Sequence, residues 1–150
     1  MAKTVKELLD QARGFHRHLQ DFYTKCESST DSDRMQMLSD YMARHEEALE
    51  KALADYESDA EERILNTSLQ FSPGDAISSC FEAIQVSPDM QVEDVLRIGL
   101  DMDEALVRFY RQVAEDAACE DVRNLFAHLM EHEEREKRLT VRSTMELEQL

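Results

Sequence analysis

The triplet His-Glu-Glu occurs twice in this chain, as His45-Glu46-Glu47 and as His132-Glu133-Glu134, with 87 residues between the copies. An aromatic pair precedes each copy, Phe22-Tyr23 and Phe109-Tyr110, at the same separation of 87. The same offset aligns Val5 with Val92, Leu9 with Leu96, Leu19 with Leu106 and Leu38 with Leu125, without a gap. The matches fall on apolar positions at helical spacing, so the chain reads as a duplicated two-helix unit.

Residue usage agrees with helix throughout. The 150 residues include only 3 Gly, 2 Pro and no Trp, and the remainder is rich in strong helix formers. The length suits a single domain with one core. We divide it into a helix pair at 4–57, a crossover at 58–90, a second helix pair at 91–140 and a tail at 141–150.

Helix one starts at Thr4, because Thr4-Val5-Lys6-Glu7 has the form of a capping box. Its apolar stripe is Val5, Leu8, Leu9, Ala12, Phe15, Leu19, Phe22, Tyr23 and Cys26, with His16 inside it. A polar turn at 27–33 leads to helix two, whose face carries Met35, Leu38, Met42, His45, Leu49, Leu53 and Tyr56. A turn this short makes the two helices antiparallel neighbours. In the crossover, residues 61–69 would prolong helix two, and Ser72-Pro73-Gly74-Asp75 signals a short helix at about 75–85. Ser87-Pro88-Asp89 is the start signal for helix three, with Val92, Val95, Leu96, Gly99, Met102, Leu106, Phe109, Tyr110 and Val113 on its stripe and Asp103 where helix one has His16. Gly99 aligns with Ala12, a small residue in each copy that allows close helix approach. Helix four would present Val122, Leu125, Phe126, Leu129, His132, Glu133, Glu136 and Leu139.

The net charge of −16 argues against nucleic acid and against an anionic membrane surface, which recruit Lys and Arg. Residues 1–25 hold five basic and three acidic side chains, so helix one is the cationic piece and is expected to lie against acidic neighbours. Cys26, Cys80 and Cys119 are odd in number and widely spaced, which fits a reducing compartment without a disulfide framework. No stretch reaches the roughly 18 apolar residues that span a bilayer, and the N-terminus has no apolar signal core. A cytoplasmic location is the expectation. The sequon Asn66-Thr67-Ser68 then has no role.

Four polar side chains fall on the inner faces at matching depth: His16, Glu46, Asp103 and Glu133. A carboxylate inside a bundle costs several kcal/mol unless it is paired, protonated or bound to metal. Glu136 stands one turn from Glu133 and would be a fifth donor. Mixed carboxylate and imidazole ligation suits Fe or Mn. Slipping the register by one residue gives a different set, in which His45, His128 and His132 face inward and His128-x-x-x-His132 clamps one metal; only that spacing is similar to hemerythrin-like bundles. The plain structural reading of both sets is a salt-bridged core layer.

At this point the chain resembles the ferritin-like superfamily, and within it the rubrerythrin-like branch. The likeness lies in the duplicated helix pairs, in the Phe-Tyr pair whose Tyr follows by seven residues the position where the family has an acidic residue, and in Glu46 and Glu133 standing where the family has the Glu of a Glu-x-x-His motif on helices two and four, over about 4–57 and 90–140. It implies an all-α ferritin-like four-helix bundle with a dinuclear Fe or Mn centre, used to handle peroxide, oxygen or iron. By that pattern the first-helix Glu falls on His16 and the third-helix Glu on Asp103, and the two motifs become Glu46-x-x-Leu49 and Glu133-x-x-Glu136. The rubredoxin-like Cys pairs of many rubrerythrins are missing. Two functions therefore stand side by side: metal-centred redox chemistry, and a metal-free bundle that forms a homodimer or docks another protein through a helix face.

Overall fold

The computed structural model describes residues 3–69, 86–87 and 89–148, without the side chains of 144 and 146–148. The chain is all-α. Helix α1 spans Val5–Ser28 and α2 spans Asp33–Asp59; a one-turn helix, α3, covers Glu62–Leu65; α4 spans Val92–Asp116 and α5 spans Glu120–Glu148. The expected short helix near 75–85 lies outside the described residues, as does Cys80.

Local chemistry places the helix ends. Thr4 accepts a hydrogen bond from the Glu7 amide while the Glu7 side chain accepts from the Thr4 backbone, so the capping box forms as read. Ser32 caps α2 by accepting from the Met35 amide. Helix α4 begins later than the Ser87-Pro88-Asp89 signal. Gln91 is its cap, and Asp94 closes a second reciprocal box with it. The short links at 29–32 and 117–119 fold α1 back on α2 and α4 back on α5, and these two pairs hold most of the interhelical contacts.

Helix α2 does not continue through 61–69. It stops at the Ala60 cap; α3 follows, and then Ser68–Leu69 (β2) pairs antiparallel with Lys3–Thr4 (β1), Lys3 opposite Leu69 and Thr4 opposite Ser68. The Val5 amide donates to the Thr67 carbonyl at 3.0 Å. This small ribbon ties the start of α1 to the chain beyond α2.

Every stripe residue named for α1, His16 included, is buried. Fully buried Leu8, Leu9, Phe15 and Leu19 each contribute about 1.5–3 kcal/mol from loss of apolar surface to water. Helices α2, α4 and α5 complete the core with Met35, Leu38, Met42, Val95, Leu106, Phe109, Tyr110, Val122 and Phe126. The stripe of α5 needs correction at its far end, where Leu139 is half exposed and Thr140 takes the buried place. The cationic helix meets acidic neighbours as expected: Arg13 Nε donates to Glu50 at 2.9 Å and Arg13 Nη1 to Glu57 at 2.7 Å. Among the described residues no helix is long and apolar enough to cross a membrane.

Candidate functional site: a buried histidine–carboxylate layer

One residue from the middle of each long helix enters the core. His16 comes from α1, Glu46 from α2, Asp103 from α4 and Glu133 from α5, with exposures of 0, 1, 7 and 4%. Adjacent helix positions lie about 100° apart, so when Glu46 and Glu133 turn inward their His neighbours turn to the flank. The register is therefore the first of the two read from the sequence. His45 is partly exposed, His132 nearly half exposed and His128 exposed, and the three do not form an inward set.

His16 sits between the two glutamates. Its Nδ1 is 2.5 Å from Glu46 Oε2, and its Nε2 is 3.1 Å from Glu133 Oε1. The first contact is an aligned hydrogen bond; the second meets the ring N–H off axis and acts through charge. Burial drives the imidazole toward its neutral form, but Glu133 and Glu46 together outweigh that and raise its pKa to about 10. At neutral pH the ring is an imidazolium, hydrogen-bonded to Glu46 through Nδ1 and paired by charge with Glu133 across Nε2.

Asp103 has no such partner. It makes no hydrogen bond to any described residue; burial, then the charges of Glu46 and Glu133, raise its pKa to about 8 against the weaker pull of His16 and Lys137. The carboxyl is neutral at pH 7. Tyr23 and Tyr110 close the layer, their phenols pushed well above the ordinary range by burial first and then by these carboxylates. The Tyr23 hydroxyl has no hydrogen-bond partner among the described residues. It lies against Gly99, where an added Cβ would overlap the hydroxyl oxygen. The small residue of α4 thus admits the tyrosine of α1.

Glu136 stands apart from the layer. Its side chain is a quarter exposed and lies between two imidazoles, 3.7 Å from His45 Nε2 and 3.6 Å from His132 Nε2. Thr140 adds a contact to His45 Nε2 at 3.4 Å. Buried Thr140 and Ser39 were not singled out from the sequence. Each stands seven positions from a layer glutamate, and that two-turn spacing was the available signal.

The donor set can be set against a dinuclear centre. The two glutamates that would share metal ions are separated by the His16 ring, and a protonated imidazole has no lone pair to give. Leu49 occupies the place of one motif histidine, and Glu136, in the place of the other, faces the flank. Among the described residues no group of three or more His, Cys, Asp or Glu side chains is disposed to hold a metal ion. As arranged, these residues do not fit the dinuclear pattern. Of the thiols, Cys26 is buried and raised to about 11 by that burial, and Cys119 is half-buried; neither joins the layer. No protein-family model, curated protein or solved structure matches the chain.

Proposed function

We propose that the chain is a ferritin-like four-helix bundle, built by duplication of a helix pair, that works without metal as a protein-interaction or structural module. The observation that carries this reading is His16, whose imidazolium stands between Glu46 and Glu133 and supplies the positive charge a metal would otherwise bring. A buried polar layer of this kind fixes helix register, which keeps the outer faces in a defined order for a partner. Apolar side chains on those faces support a docking role. Met37 and Tyr41 are 54 and 37% exposed one turn apart on α2, and Tyr41 stacks on His45. The partner we favour is a second copy, giving a cytoplasmic homodimer.

A second reading has one observation in its favour: Asp103, a buried carboxyl without a hydrogen-bond partner among the described residues, is an available oxygen donor. In that reading His16 loses its proton and turns, and His16, Glu46, Asp103 and Glu133, with Glu136, hold Fe or Mn.

Elemental analysis of protein purified without an affinity tag, after anaerobic loading with Fe(II) or Mn(II), separates the two. The metal-free reading expects no bound metal and a melting temperature unmoved by either ion. Two ions per chain, lost in a Glu46→Ala, Glu133→Ala double variant, would overturn it. Sedimentation of wild type and Met37→Ser, Tyr41→Ser protein tests the docking face. A dimer that dissociates in the variant is expected; a monomer at all concentrations removes the second copy as partner.

A further inference from the structure

A cavity of about 120 Å³ opens between α2, α4 and α5. Met42, Leu100, Val141 and Met145 form its apolar walls, and Asp103 and Thr140 give it polar atoms. Asp103 is 7% exposed, forms no hydrogen bond with a described residue, and has Glu46 and Glu133 as charged neighbours behind it. The site thus has an apolar chamber with an unpartnered, nine-tenths buried carboxyl on its lining.

The chemistry of an occupant follows from those two parts. An anion would be repelled, since the layer holds two glutamates and one imidazolium. A bare metal ion would find one carboxyl among leucine, valine and methionine side chains, far short of the oxygen or nitrogen shell it requires. A neutral apolar molecule would fill the chamber but would leave the carboxyl without a hydrogen-bond partner, with Glu46 and Glu133 behind it uncompensated on that side. An organic cation satisfies both, and the net charge of −16 raises the local concentration of cations around the molecule.

We propose that this cavity binds a small primary amine as its ammonium ion, with an alkyl chain of about four to six carbons, since a cavity of about 150 Å³ is known to hold benzene. The chain packs between Met42, Leu100 and Met145, and the ammonium donates to Asp103. Tyr41 and Met37 of the proposed docking face do not line the cavity, and its occupancy does not depend on that role.

The test uses the full chain labelled with ¹³C at the methionine methyls. Met42 and Met145 report on the cavity, and exposed Met37 reports on unspecific binding at the surface. Titration with n-butylamine hydrochloride at about pH 9, above the Asp103 value of about 8 and below that of an alkylammonium at about 10.4, should shift the Met42 and Met145 signals saturably and leave Met37 in place. n-Butanol, of similar size and uncharged, should bind at least about tenfold more weakly, the scale of one charge-assisted hydrogen bond. Asp103→Asn should erase that preference while keeping the helical circular dichroism. Leu100→Phe, which fills the chamber and leaves the carboxyl, should block both compounds and guards against a folding defect in the first variant. The proposal is overturned if butanol binds as well as butylamine, if the preference survives in Asp103→Asn, or if no saturable shift occurs.

Discussion

His16 on α1 and Asp103 on α4 lie 87 residues apart, and both are buried ionisable groups. Their solutions to burial are opposite. His16 gains two carboxylate neighbours and keeps its charge, whereas Asp103 gains no hydrogen-bonding partner among the described residues and gives up its charge. Burial alone therefore does not set the protonation state; the balance between desolvation and partners does. Two carboxylates share one cation across three helices, and that arrangement leaves the fourth helix's carboxyl to neutralise itself.

Removing His16 should have the largest effect. His16→Leu keeps the volume but leaves Glu46 and Glu133 without their shared cation, and a loss of about 3–5 kcal/mol is expected in urea unfolding. A loss under about 1 kcal/mol would mean the imidazolium does not hold the layer.

Asp103 should separate from His16 by pH. Both folded pKa values lie above the unfolded ones, so each group's contribution is full below its unfolded pKa and is lost as pH rises through the folded value. For Asp103 the window runs from 3.8 to about 8; for His16 it runs from 6.5 to about 10. Melting temperature should fall across both windows. Asp103→Asn should stabilise the protein at neutral pH and flatten the lower window, leaving the decline toward pH 10 intact. An unchanged profile in the variant would show that Asp103 ionises normally.

Glycine substitutions sharpen the comparison one turn further along. Ala12 is fully buried in α1 without difficulty, but its counterpart Gly99 faces the Tyr23 hydroxyl. Gly99→Ala should cost about 1–3 kcal/mol through overpacking of a rigid ring, partly offset by the gain in helix propensity. Gly14, also inside α1, has no neighbour within 4 Å of an added Cβ. Gly14→Ala should stabilise by about 0.5–1 kcal/mol. Thermal melts of the pair should move in opposite directions.

Most of the core was legible in the sequence because long helices carry many repeats of one period. The stripe of α1 was complete, and the four layer residues followed from the 87-residue offset. Legibility failed where periodicity is weak. His45 and Glu46 are adjacent positions at the edge of the stripe, and only the packed helices decide which one turns in. Near the end of α5 the buried line passes from Leu139 to Thr140, a drift that a fixed heptad reading does not follow. Two-residue strands have no period to detect, so residues 68–69 were read as helix. The pairing of His16 with Glu133, and the lack of one for Asp103, depend on side-chain geometry across helices that spacing does not encode.

The ribbon between Lys3–Thr4 and Ser68–Leu69 gives the first half a clasp. The chain it closes contains α1, α2 and α3, so this half can gather itself before the later helices are made, at a loop-closure cost that grows only slowly with length. Within it, His16 meets Glu46 and one side of the imidazole is satisfied. Its other nitrogen faces a glutamate that is synthesised more than a hundred residues after it. The ring is thus a half-made joint carried by the α1–α2 pair, completed when α5 arrives, and it ties that pair to the later helices.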